Sequence, residues 1–163
     1  MLEVGHLFDA KLTDCSYGNR LRRTQDGKSI KPVSLGSFRH YFKPFRDWHD
    51  KGIAAMRTAL DAEKKIIALT ADVTSFYHEL NSGFMLDPTF INDVLGLKLE
   101  KDQTKLNRLF IHALQAWAAA TPLKKGLPVG LPASAVVGNI ALVELDRCIE
   151  QQVVPIYYGR YVD

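Results

Sequence analysis

Residues 65–77 run Lys65-Ile66-Ile67-Ala68-Leu69-Thr70-Ala71-Asp72-Val73-Thr74-Ser75-Phe76-Tyr77, and the fold class turns on them. Ile66, Ile67 and Leu69 make an apolar run too short for a typical helix, which predicts a buried β-strand over Lys65–Val73. Asp72 then stands near the strand's end. A carboxylate in such a place has to be paired, hydrogen-bonded or metal-bound, because an unpaired buried charge is strongly destabilising. Capping of a helix that starts after the strand is the plainer alternative.

On the amino-terminal side, Phe38, Tyr41, Phe42, Phe45 and Trp48 fall at helical spacing and continue through Ile53, Met56 and Leu60. The spacing predicts a long helix capped by Ser37 and bent at Pro44. Its aromatic stripe reads as core, with base stacking as the alternative. Arg39, Lys43 and Arg46 are the better candidates for contacts to a phosphate backbone. Residues 1–21 are mixed and read as short strands or an extended lead-in, and Thr24–Lys31 as an exposed loop around an Asp-Gly turn.

On the carboxy-terminal side, Asp87-Pro88 opens a helix through Phe90, Ile91, Val94 and Leu95 that ends near Gly96. Another starts at Asp102 or Thr104 and runs through Leu106, Phe110, Leu114 and Trp117 to Pro122. Gly126 to Pro132 holds two glycines and two prolines and must be irregular. Helical spacing resumes from Ala133 to Glu150. The chain closes on an apolar, strand-like segment, Pro155-Ile156-Tyr157-Tyr158, followed by Tyr161-Val162-Asp163.

Three of these segments, in this order, resemble the central palm motifs of reverse transcriptases. They are Asp72 to Tyr77, then Gly126-Leu127-Pro128-Val129-Gly130-Leu131-Pro132-Ala133-Ser134, then Tyr161-Val162-Asp163, which is similar to the start of the family's Tyr-Val-Asp-Asp hairpin. The family's glutamine after Leu-Pro is Val129 here. Ser16-Tyr17-Gly18-Asn19-Arg20-Leu21-Arg22 resembles the fingers segment of bacterial reverse transcriptases related to abortive phage infection. The wording of the first two motifs leans the same way.

The resemblance implies an α+β fold, a right-hand polymerase of fingers and palm with helices packed on a small antiparallel sheet. Residues 1–64 would be fingers-like and 65–163 palm with interleaved fingers helices, incomplete at the carboxy terminus and without a thumb. It implies RNA-directed DNA polymerase activity in the full-length protein, in bacterial phage defence, with an isolated fragment inactive. Asp72 and Asp163 would be catalytic and, with the Val73 carbonyl, would hold two magnesium ions, or manganese. In such a site the ions lie roughly 3.5 to 4 Å apart, one activating the primer hydroxyl and one steadying the leaving group.

Tyr77, beside Phe76, matches the aromatic gate that leaves no room for a ribose 2′-hydroxyl; core packing is its alternative reading. The incoming deoxynucleoside triphosphate would meet Phe76, Tyr77, Gly126, Pro128, Gly130 and Ser134, with Arg20 and Arg22 on its phosphates, since a guanidinium donates paired hydrogen bonds to phosphate oxygens. Arg39, Lys43 and Tyr161 would contact an RNA or DNA template-primer. A non-catalytic nucleic-acid or partner-binding module with the palm architecture is the rival expectation.

Composition is compatible with this and excludes little. The chain has 163 residues, 47% hydrophobic and 24% charged, enough for the core of one domain. Residues 1–65 carry 13 Lys and Arg against 8 Asp and Glu, the remainder 8 against 10, so the basic surplus lies in the front half, where phosphates would be met. Cys15 and Cys148 are far apart, without histidine at ligand spacing, and read as small apolar residues of a reducing cytoplasm. No apolar run is long enough to span a bilayer. An unpaired strand edge at Tyr157–Asp163 is expected to favour oligomers.

Overall fold

The computed structural model of the chain describes residues 2–22 and 38–162. Among the described residues six α-helices succeed one another: α1 (Leu2–Asp9), α2 (Phe42–Asp61), α3 (Phe76–Glu79), α4 (Lys101–Ala120), α5 (Pro132–Ala141) and α6 (Val143–Cys148). A 3₁₀ turn at Ser82–Leu86 and π-helical turns at Phe90–Val94 and Ile149–Val153 complete the helical set.

The expected α+β architecture is overturned. Among the described residues there is no β-strand, and sheet-like pairing is confined to two isolated bridges, Ser16 with Arg160 (parallel) and Leu21 with Phe38 (antiparallel). The anticipated buried strand at Lys65–Val73 runs without turn or bend over 64–73, but on the surface, with Ile67 98% and Leu69 89% exposed. The physical reason is the lack of a neighbour. A strand is stable only when its backbone groups find a ladder, and residues 65–72 make no hydrogen bond among the described residues.

The core is helical instead. Val4 and Phe8 of α1, one turn apart, pack with Met85, Phe90 and Ile91, with Ile111 and Leu114 of α4, and with Val136, Val137 and Ile140 of α5. The extended lead-in expected over the first residues is therefore a helix up to Asp9. Ile140 and Val143 are fully buried, each contributing about 1.5–3 kcal/mol of transfer free energy. Buried Asn107 donates to the Met85 carbonyl at 2.7 Å and fixes α4 on the 3₁₀ turn. The helix after Asp87 is present, with the Asp87 carboxylate accepting from Thr89 N at 2.9 Å, and α4 opens at Glu100, whose N–H donates to Gln103 at 3.0 Å.

α2 stands apart from that core. It starts at Phe42 because Pro44 has no N–H and its ring collides with the carbonyl four residues back, so residues before the first turn leave the helix. Ser37, the expected cap, lies outside the described residues, as do Arg23 and the Thr24–Lys31 loop. Ala59 is the one residue of α2 that is buried. The helix is tied instead to the last segment: Trp48 Nε1 donates to the Gly159 carbonyl at 2.9 Å, and the Tyr157 hydroxyl donates to the Trp48 carbonyl at 2.8 Å. Among the described residues no helix is long and apolar enough to cross a membrane.

Candidate functional site

The separate sequence segments meet on α5. Pro132 at its first turn pre-sets the helical backbone, and Gly138 gives a neighbour room to approach. A Cβ on Gly138 would lie 3.1 Å from the Phe76 ring and 3.2 Å from that of Tyr77, so both aromatic rings after Asp72 press on this one residue. The glycine-rich loop reaches the same place, Leu127 N donating to the Tyr77 carbonyl at 2.7 Å. Gly126 has φ +90°, and a Cβ there would sit 2.7 Å from the His78 carbonyl oxygen, which excludes any side chain.

The next residue, Asn139, joins the first segment to Arg160, the residue just before the last segment. Its amide donates to the carbonyls of Gly18 at 2.9 Å and Asn19 at 3.2 Å, while its side-chain oxygen accepts from Arg160 at 2.9 Å. Arg160 also forks onto Asp146 of α6, with Nε–Oδ1 and Nη2–Oδ2 both 2.9 Å. The Tyr158 hydroxyl donates to the same carboxylate at 2.7 Å. Burial raises the pKa of Tyr158, and the Asp146 hydrogen bond raises it further. Val162 lies against Gly18, where an added Cβ would come within 2.7 Å of it.

Each candidate residue has a distinct setting. Phe76 is buried and Tyr77 half-buried; Val73 is 42% exposed, and its carbonyl accepts from Phe76 N at 3.2 Å. Asp72 is exposed, without hydrogen bond or ion pair among the described residues. Asp163 lies outside the described residues, and among those described no three His, Cys, Asp or Glu are grouped as a metal site. Pro128 is half-buried and Gly130 exposed, with nothing within 4 Å of an added Cβ. Ser134 is 1% exposed and has no hydrogen-bond partner for its hydroxyl. It lies one helical turn before Gly138 and shares its face.

Arg20 faces inward. It meets Asp9 Oδ1 at 3.3 Å and donates to the carbonyls of Thr13 and Ser16 at 3.1 Å, which ties the first loop to α1. Arg22 is half-buried, Arg39 and Lys43 exposed. Tyr161 is half-buried, its ring edge-on to Phe45 at 5.3 Å and tilted towards Trp48 at 5.9 Å. Burial raises its pKa.

The aromatic stripe read as core is largely outside. Tyr41 is 58%, Phe42 62% and Phe45 47% exposed, and His40, Tyr41 and Phe42 stack on one another with centroids 4.1–5.3 Å apart. Phe42, Lys43, Phe45, Arg46 and His49 line a shallow surface concavity of about 500 Å³. Sequence reasoning also missed Asp146 and Arg160. The available signal was Asn139 and Asp146, seven residues apart on the apolar stripe of Val136, Ile140 and Val143, a spacing that buries both.

No family model matches the chain, and no curated protein or solved structure matches it.

Proposed function

We propose that the chain carries a nucleotidyl-transfer site of reverse-transcriptase type, adding deoxynucleotides to a primer terminus on an RNA or DNA template. The observation that carries the reading is the meeting on α5: Gly138 against Phe76 and Tyr77, and Asn139 against Gly18 and Arg160. Of the four segments that resemble the family's motifs, two touch these adjacent residues directly, the glycine-rich loop reaches them through Tyr77, and the last begins one residue after Arg160. A left-handed backbone recurs in each: Asn19 (φ 52°), Ser75 (φ 57°), Gly126 (φ 90°) and Val162 (φ 75°). For β-branched Val162 that conformation is strained, and strain of this kind concentrates at functional sites.

The oxygen donors suit a hard divalent ion, because the Asp72 carboxylate is exposed and unengaged. Asp72, the Val73 carbonyl and Asp163 would hold magnesium or manganese, which supplies the positive charge that activates a primer hydroxyl and steadies the departing pyrophosphate. Tyr77, backed by α5, would lie under the sugar and discriminate against a 2′-hydroxyl. Arg39 and Lys43 would pair with template phosphates. A bacterial cytoplasm and a role in phage defence belong to the same proposal.

A second reading is favoured by the outer face of α2. Stacked, exposed aromatics flanked by Arg39, Lys43 and Arg46 suit unpaired bases and their phosphates, as a binding module without catalysis would need. The test is incorporation of labelled nucleotides by the full-length protein on RNA and DNA templates with magnesium, beside Asp72→Ala. Incorporation of deoxynucleotides that Asp72→Ala abolishes supports the transferase. No incorporation by folded protein, with retained single-strand binding, transfers the case to the binding module.

A further inference from the structure

Residues 65–72 form a run with no internal function in the packing: no hydrogen bond among the described residues, no turn or bend, and Ile67 and Leu69 almost wholly in water. Such an edge is a template for another strand. Its ends differ in sign, with Lys64 and Lys65 at one and Asp72 at the other.

We propose that this run pairs antiparallel with the same run of a second copy of the chain, about a two-fold axis at Ala68. In that register Lys64 stands opposite Asp72 of the second copy, and by symmetry Asp72 opposite its Lys64, so the paired form withholds Asp72 from a metal ion and is an alternative to the metal-holding state of the proposed function. Ile67 faces Leu69 and Leu69 faces Ile67, so four apolar side chains cluster on one side of the ribbon, as residues two apart share a face. Charge selects this arrangement. A parallel in-register pairing would set lysine on lysine and aspartate on aspartate, and like charges directly opposite are destabilising. The antiparallel pair is also closed, since an isologous contact uses the same patch on both subunits.

Light scattering and sedimentation of the chain across a concentration series test it, together with amide exchange. The expected result is a concentration-dependent dimer in which alternate amides within 65–71 gain protection. Lys64→Asp and Asp72→Lys should each weaken the dimer about tenfold, since each replaces two attractions by two repulsions, and the double variant should return to within about threefold of the parent. These side chains are exposed, so the fold is retained in each variant. A second pair, Ile67→Pro and Ala68→Pro, probes the ladder: successive N–H groups point to opposite edges, so one of the two must remove a pairing hydrogen bond. A monomer at every concentration, a double variant no better than the singles, or a dimer without protection at 65–71 would overturn the proposal.

Discussion

Arg160 and Asp146 meet through two parallel hydrogen bonds of 2.9 Å in the interior, with side chains 5% and 1% exposed. Removing one partner strands a buried charge, at about 3–5 kcal/mol. Asp146→Ala should therefore destabilise the chain by that amount in urea unfolding, and Arg160→Met similarly. Asp146→Leu with Arg160→Met should cost less than either alone, because an apolar pair leaves no charge unmatched.

Gly126 and Gly138 make contrasting controls. Gly126→Ala meets backbone oxygen at a positive φ and should cost about 1–3 kcal/mol, releasing the loop from Tyr77. Gly138→Ala meets only ring atoms at 3.1–3.3 Å, so the Phe76 and Tyr77 rings move while the fold holds. Under the proposed function, that shift lowers incorporation and changes the deoxynucleotide-to-ribonucleotide ratio in the full-length protein. An unchanged ratio would remove Tyr77 from sugar selection.

Asp72→Asn should leave stability within about 0.5 kcal/mol, as expected for an exposed side chain, while abolishing incorporation. Melting of the variant beside an activity assay separates the two effects. Retained activity would sink the metal-holding role of Asp72.

Phe42→Ala and Phe45→Ala should each weaken single-stranded nucleic-acid binding by about 1–3 kcal/mol, the value of one stacked base. Phe42 also stacks on His40 and Tyr41, and Phe45 also touches Tyr161, so melting of each variant beside the binding assay separates lost base stacking from lost packing. Fluorescence anisotropy with labelled oligonucleotides, repeated at rising salt, gives both the stacking loss and the number of phosphates engaged.

Burial lifts the Cys15 thiol from 9.0 to about 11, and the phenols of Tyr157 and Tyr158 are raised for the same first reason. All three are neutral in the folded chain at a pH where the unfolded chain already ionises. For Cys15, this contribution to stability is complete below pH 9 and disappears as pH rises towards 11. The urea midpoint should fall between pH 8 and pH 10.5. Over the same range a thiol reagent should modify exposed Cys148 first and reach Cys15 only as the fold opens.

α4 and α5 were legible because their apolar residues recur at helical spacing and punctuation bounds them, Pro122 before the loop and Pro132 after it. α1 was not, since Gly5, His6 and Asp9 break the pattern that Val4 and Phe8 carry. For Ile66 to Leu69, hydrophobicity signals a tendency to pair without saying with what. The aromatic spacing of α2 gave the helix correctly and its outward side wrongly, because its partners are a few residues of the last segment, Gly159 for Trp48 and Tyr161 for Phe45, and not the core. Tyr77 and the glycine loop were legible as candidates, and their contact is a matter of tertiary packing that no local pattern encodes.

The link between Ser16 and Arg160 spans 144 residues of chain. Closing so long a loop has an entropic cost that local helices avoid, and contacts of such separation slow folding. During synthesis α1 and its loop must wait until α5 and the segment around Arg160 have been made. The early residues consequently stay open to proteases and chaperones longer than any other described part, and the rate at which they become protected reports when the last segment docks.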